Sequence, residues 1–259
     1  MLPKKYDEWV SIIENRKVND KYYKLTFRSK NLSQNVLPGQ FIHIQIQSPG
    51  DLFLRRPFSY YRIQGDRIEI LYEILGRGTA ALAEMKKGGR LKVMGPLGKT
   101  FSLRPKDKKR VLVAGGVGIP PLLFLAERYP TDYLLIGTRS KGEVMPPKEL
   151  AKVKGQVLYS TDDGSYGEKG FVTVLLEAIL KKEEKGKLFI QTCGPKMMMR
   201  AVMAIARREG IQGEASLDET MGCAVGACLG CMVKTRHGWM ASCVEGPIFP
   251  FEELLPDSC

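Results

Sequence analysis

Cysteine is missing until Cys193, and all six cysteines of the chain follow from there. Histidine is scarce too, with two among 259 residues, and no Ser–His–Asp or paired-carboxylate constellation is apparent. No apolar run reaches bilayer length; "IPPLLFLA", among the longest, is far too short to cross one, so no membrane partner is expected. The opening "MLPKKYDEWV" has no apolar signal core, which makes a cytoplasmic chain the expectation. A cytoplasm keeps thiols reduced, so a cysteine cluster there points to metal rather than to disulfides. No internal repeat and no low-complexity linker interrupt the sequence.

What is present is positive charge: 40 Lys and Arg against 28 Asp and Glu, a net +12. Such a balance suits nucleic acid, an acidic partner or anionic cofactors, but it also suits a solvated lysine-rich surface. The basic residues are scattered (Lys4, Lys5, Lys86, Lys87, Lys181, Lys182) and do not interleave with aromatics, so no nucleic-acid partner is expected. The tightest run, "RPKDKKR" at 104–110, precedes an apolar stretch and reads as a connector between domains.

Three regions follow. Residues 1–103 are β-rich: "YYKLTFRS", "GQFIHIQIQ", "DRIEILYEIL" and "GRLKVMGPLG" alternate apolar and polar residues, with turn signals "LPGQ", "SPGD", "QGDR" and "KKGG" between them. This predicts an antiparallel barrel or sandwich. One helical segment, "GTAALAEMKKGG", interrupts it. Residues 104–213 alternate buried-strand patterns ("RVLVAGG", "DYLLIGTR", "QVLYSTD", "KLFIQTCGP") with helical ones ("IPPLLFLAERY", "FVTVLLEAILKK", "KMMMRAVMAIARREG"), which predicts a parallel sheet covered on both faces. Met197, Met198 and Met199 read as core packing. Residues 214–259 lose both periodicities and are too poor in large apolar side chains to fold without a staple.

The staple is visible. Cys223, Cys228, Cys231 and Cys243 are spaced C-x4-C-x2-C-x11-C. Iron and zinc both take four thiolates, and zinc sites more often use paired C-x2-C knuckles. The four-residue first gap matches the plant-type [2Fe–2S] spacing instead. Gly222, Gly226 and Gly230, with Ala224 and Ala227, allow backbone N–H groups to approach the sulfurs. Cys259 and His237 are not expected to be ligands.

"VLVAGGVGIPPLLFL" runs strand, glycine turn, helix. Gly115, Gly116 and Gly118 would let amides approach a pyrophosphate at the helix N-terminus, and Pro120 or Pro121 fits the first helical turn. Glycine turns also end ordinary strands, and the motif reads G-x-G-x-P-P rather than G-x-G-x-x-G. A second feature, "TCGP" (192–195), closes the last buried strand, where ligands of open sheets gather. Cys193 reads equally as a small buried hydrophobe. Asp162 and Asp163 form an acidic turn within reach of a ribose, and Arg139 would suit a 2′-phosphate, so NAD and NADP both stay open.

Taken together these segments resemble the ferredoxin–NADP reductase superfamily. "RRPFSYY" (55–61) is similar to its flavin motif, "GRGT" (76–79) to its phosphate-holding turn, and "GGVGIPP" and "TCGP" to its nicotinamide half. The tail "SLDETMGCAVGACLGCMVKT…CVEGPIF", with "STDDGSYGEKGFVT" (160–173), is similar to the electron-transfer subunits of NAD-dependent dihydroorotate dehydrogenase. The resemblance implies three units: an FAD-binding β-barrel (1–103), an NAD-binding α/β domain (104–213) and a small [2Fe–2S] module (214–259). It implies FAD held by Arg56, Pro57, Phe58 and Ser59, by Leu71, Tyr72 and Glu73, and by Gly78 and Thr79. Nicotinamide would meet Gly194, Pro195 and a catalytic Cys193. The implied partner is an FMN-containing catalytic subunit in a heterotetramer, with electrons passing through the cluster and FAD to NAD⁺ in pyrimidine biosynthesis. Related subunits serve hydrogenases, sulfide dehydrogenases and ferredoxin-dependent transhydrogenases. Two departures are visible: Phe58 stands where smaller or aliphatic residues are usual, and the chain continues through "EASLDE" where many such reductases end in an aromatic stacked on the flavin.

Overall fold

The computed structural model describes residues 4–46, 53–256 and 258. The turn "SPGD" and Cys259 lie outside the described residues. Among those described, no helix is long and apolar enough to cross a membrane.

The β-rich region forms a seven-stranded antiparallel sheet curled into a barrel. Its strands are β1 (Tyr6–Lys17), β2 (Tyr22–Arg28), β3 (Phe41–Gln45), β4 (Arg56–Ser59), β5 (Arg62–Gln64), β6 (Arg67–Glu73) and β7 (Arg90–Leu97), in the order β4-β3-β7-β1-β2-β6-β5. Two helices connect them, α1 (Lys30–Ser33) and α2 (Arg77–Glu84). Alternate residues point inward: Ile42 and Ile44 of β3, Ile68, Ile70 and Tyr72 of β6, and Leu91 and Val93 of β7 share one core. β1 was not among the strands expected. A register shift between Ile12 and Glu14 breaks its alternation, and there the strand changes partner from β7 to β2.

The second region is a sheet in the order β11-β10-β9-β8-β12-β13-β16, parallel except for its last strand. In chain order it comprises β8 (Lys109–Gly115), α3 (Ile119–Arg128), β9 (Tyr133–Thr138), α4 (Pro147–Leu150), β10 (Gln156–Thr161), β11 (Glu168–Lys169), α5 (Thr173–Lys182), β12 (Leu188–Cys193), α6 (Lys196–Arg208) and β13 (Gln212–Ser216). The central strands β8 and β12 are buried almost throughout, as their unbroken apolar runs require. The expected helices and strands are all present. Of the three methionines expected in the core, Met199 is buried and Met198 packs against it, but Met197 is exposed: it opens the first turn of α6 on the side facing away from the sheet.

The tail is tied to both halves. A boundary at 213/214 falls inside β13, which runs on to Ser216. After the hairpin β14 (Met232–Thr235) and β15 (Gly238–Ala241) comes α7 (Ser242–Glu245), and β16 (Ile248–Pro250) then returns to pair with β13. Met221, Ala224, Cys231, Ala241 and Cys243 pack on Phe41 and Leu97 of the barrel, while Phe249, Phe251 and Leu254 enter the α/β core. The tail thus borrows apolar surface it could not supply alone.

Barrel and sheet meet across buried charges. Lys24 of β2 reaches Glu149 of α4 at 2.9 Å, Arg62 of β5 reaches Glu127 of α3 at 2.9 Å and Glu149 at 3.2 Å, and the Tyr61 hydroxyl donates to Glu149 at 2.9 Å. Burial alone would raise the Glu149 pKa, but Lys24, Tyr61 and Arg62 outweigh it and hold it at about 2. Because the folded pKa is depressed, this stabilisation is complete above the ordinary glutamate value of about 4.3 and is lost as pH falls from there toward about 2. Melting temperature measured across that window is expected to drop steeply. Glu149→Gln is expected to flatten the drop and to cost about 3 kcal/mol at pH 7, since Lys24 and Arg62 keep their charges and lose a partner.

Candidate functional site

A cavity of about 480 Å³ opens where barrel, sheet and tail converge. Its size suits a bound small molecule. One wall is β4 and its approach: Arg56, Pro57, Phe58 and Ser59 line it, joined by Leu71, Tyr72 and Glu73 at the end of β6. Phe58 also packs edge-to-face on Tyr72, 6.0 Å between centroids, so it braces the wall from inside the barrel core. The Tyr72 hydroxyl donates to Asn15 Oδ1 at 2.9 Å, which fixes the ring.

Arg56 and the start of α2 form one unit. Its guanidinium lies against Gly78, where a Cβ would stand 2.5 Å from Nε. Glycine there leaves room for the guanidinium, which an added Cβ would displace, without any unusual φ. Arg56 also donates to the Leu54 carbonyl. The arrangement places a fixed cation beside the N-terminus of an eight-residue helix, a setting for an anionic group. Thr79 lines the cavity, and its hydroxyl oxygen also accepts from Leu75 N at 2.9 Å and Gly76 N at 3.3 Å, so it caps the helix.

The opposite wall comes from the α/β half. Cys193 lines the cavity with Val117 and Pro120, which follow the glycines of the first turn. Gly115, Gly116, Gly118, Gly194 and Pro195 are not among the residues that line the cavity. They pack on one another instead: a Cβ on Gly118 would stand 1.9 Å from the Cys193 carbonyl oxygen, and one on Gly115 would stand 2.6 Å from Met198 Sδ. Gly116 has φ +51°, and a Cβ there would meet the Pro195 ring at 3.8 Å. The glycine turn and "TCGP" are therefore one interlocked structure. Gly118→Ala is expected to lower stability by about 3 kcal/mol or more, because two backbones would have to separate; a thermal melt within 2 °C of the parent would contradict this. Cys193 is 3% exposed, and burial pushes its thiol up to about 12, so it stays a neutral, weakly polar contact.

Sequence reasoning missed the third wall. Ser216, Leu217, Asp218, Glu219, Thr220 and Met221 line the cavity between β13 and the cysteine loop. The continuation "EASLDE", noted where an aromatic terminus was absent, is what closes that side. The acidic turn is the ordinary one: Asp163 Oδ1 accepts from Ser165 N at 2.9 Å. Arg139 and His237 are exposed. His43, not singled out by its sequence, is fully buried on β3, and burial with the charges of Arg55 and Arg56 holds it neutral at about 4.

The cysteine loop begins two residues beyond this wall. Val225 N and Cys228 N each point at Cys223 Sγ at 3.4 Å. Ala224 (φ +58°) and Leu229 (φ +55°) adopt the left-handed region that side chains disfavour, which turns successive amides toward the sulfurs. Burial works against a Cys223 thiolate, but these amides and the Cys228 thiol overcome it and lower its pKa. Among the described residues no three His, Cys, Asp or Glu side chains are grouped to hold a single metal ion. The Cys223 and Cys228 thiols interact with each other, as do those of Cys231 and Cys243, and Cys243 also feels Cys223. Four thiols brought together at the C-x4-C-x2-C-x11-C spacing suit a two-iron cluster.

Comparison with known proteins agrees with this geometry. Residues 218–255, which hold all four cysteines, match the family model described as the iron-sulfur cluster binding domain of dihydroorotate dehydrogenase B. The electron transfer subunit of dihydroorotate dehydrogenase B (NAD⁺) from Caldanaerobacter subterraneus subsp. tengcongensis is 36% identical over 248 residues, 94% of this chain and 96% of that protein. This chain belongs to that family. The subunit of the same name from Desulforamulus reducens is 35% identical, covering 90% of this chain and 92% of its own. The solved structure of an NADH-dependent reduced ferredoxin–NADP oxidoreductase, studied for flavin-based electron bifurcation, aligns with a TM-score of 0.84 at 26% identity, over 96% of this chain and 90% of that one. The antiparallel barrel, the parallel sheet and the C-terminal iron–sulfur domain are those of a flavoprotein oxidoreductase subunit.

Proposed function

We propose that the chain carries electrons between NAD and an FMN-containing catalytic subunit that oxidises dihydroorotate to orotate, in a cytoplasmic complex of two copies of each. The observation that carries this reading is continuity. The cavity walled by the flavin motif is also walled by Met221, and Cys223 follows two residues later. Bound FAD exchanges electron pairs with nicotinamide and single electrons with an iron–sulfur cluster, which is why it belongs between them.

The chain's own residues have distinct tasks. Arg56, held by Gly78, binds the pyrophosphate of FAD; Ser59 and the ends of β4 and β6 seat its ring. Cys193 and Pro120 close the face from which nicotinamide approaches, and the neutral thiol keeps water out. The interlocked turns of Gly115–Gly118 and Gly194–Pro195 hold this wall in position beside the nucleotide. Cys223, Cys228, Cys231 and Cys243 would supply the four thiolates that hold a two-iron cluster. The 26% identical oxidoreductase raises a transhydrogenase subunit as a second reading. The subunits more than 30% identical over nearly the whole chain favour the dihydroorotate one.

The test is reconstitution. The chain alone is expected to reduce no NAD⁺ with dihydroorotate, and to do so once an FMN-containing dihydroorotate-oxidising subunit is added. Dihydroorotate oxidation by the chain alone, or no coupling with that subunit, would overturn the assignment.

A further inference from the structure

We propose that Asp218 is the proton carrier of the flavin cavity, passing one proton between water and the flavin in each turnover. This rests on the reading of the cavity as the FAD site. The need for a carrier follows from the electron count. A hydride delivered to NAD⁺ contains two electrons and one proton. The four-thiolate cluster supplies electrons only. For every pair of electrons arriving through it, the flavin must therefore gain one proton from water before the hydride leaves, and in the reverse direction it must lose one.

The cavity offers few groups for this task. Glu73 is paired with Lys21 at 3.7 Å, and Glu219 with Lys196 at 2.8 Å. The Tyr72 hydroxyl is buried and committed to Asn15. Cys193 is buried and firmly protonated. Asp218 is left: it lines the cavity, is exposed, and among the described residues has no ion pair or hydrogen bond. It lines the same cavity as Cys193. Its segment is held at both ends, by the Leu217 N–H donating to the Pro247 carbonyl at 2.9 Å and by Met221 packed on the barrel. Although solvent reaches it through the open cavity, desolvation by the surrounding walls and the Glu219 carboxylate raise its pKa, with Lys196 opposing; Arg56, Arg77 and Glu73 line the same cavity. A carboxyl raised toward the working pH is a better acid and base than an ordinary aspartate.

Two half-reactions separate this role from simple binding. NADH reduces flavin by hydride and needs no carrier; oxidation of the reduced flavin by ferricyanide, which takes electrons alone, requires release of a proton. Stopped-flow rates for both are compared in the FAD-loaded chain, in Asp218→Asn and in Asp218→Glu. The expected result is a fall of about tenfold or more in the ratio of ferricyanide oxidation to hydride reduction for Asp218→Asn. Formate should restore it, and Asp218→Glu should retain most of it. A flavin absorbance shift on titrating the resting protein from pH 3 to 8 should vanish in Asp218→Asn, independently of any turnover. An unchanged ratio and an unchanged titration would overturn the proposal while leaving the flavin site intact. Equal losses in both half-reactions would make Asp218 a binding residue and also overturn it. A parent chain that held no FAD would overturn the reading of the cavity itself.

Discussion

Cys228→Ser is expected to strip the chain of iron, from about two atoms per chain to nearly none, and to leave NADH reduction of bound flavin within about threefold of the parent. The cysteine loop explains the first half. Cys228 is one of the four thiols that would hold the cluster, so its loss leaves a two-iron cluster one ligand short. A Cβ on Gly222 would stand 3.3 Å from Cys228 Sγ and one on Gly230 3.6 Å, so the loop is already wound closely around that atom. The second half follows from the packing: Cys228 is exposed and belongs to neither the barrel core nor the core behind Cys193. Iron analysis and anaerobic flavin bleaching check the two halves separately. Loss of NADH reduction with FAD still bound would show that the halves are not independent.

Arg56→Ala is expected to weaken FAD binding by about 10- to 150-fold, the cost of one charge-assisted contact of roughly 1.5–3 kcal/mol. Gly78→Ala should do nearly the same without touching the arginine. Its added Cβ, 2.5 Å from Nε, would push the guanidinium off the helix terminus. Gly186→Ala is the control: it lies outside the cavity lining and has nothing within 4 Å of a Cβ. FAD release measured by fluorescence distinguishes the three. Equal affinity in Gly78→Ala and the parent would separate Arg56 from the phosphate.

The fold was legible where burial dictates pattern. Strands β2, β3, β6 and β7, and in the α/β region β8, β9, β10, β12, α3, α5 and α6, declare themselves by alternation or by unbroken apolar runs, because each presents a constant face to its core; the short α4, β11 and β13 do not. β1 did not, since its bulge changes partner and face midway. The site was legible where chemistry restricts residue type, as in the four cysteines and in Arg56 beside Gly78. It was less legible where glycine serves two purposes: Gly118 resembles part of a phosphate loop, yet its lack of a side chain is demanded by the backbone of "TCGP". The wall from Ser216 to Met221 was not legible. Nothing in "SLDETM" marks it until β13 and Met221, anchored on different domains, stretch it across the cavity. The same anchoring blurs the tail as a separate unit, because β16 joins a sheet whose other strands lie far earlier in the chain.

The central claim is that one chain holds a flavin and a two-iron cluster in electronic contact. An anaerobic visible spectrum of the purified chain, with iron and zinc assays, before and after NADH, tests it most directly. The account predicts flavin and about two irons per chain, with both chromophores bleaching on NADH addition. Zinc without flavin would contradict it.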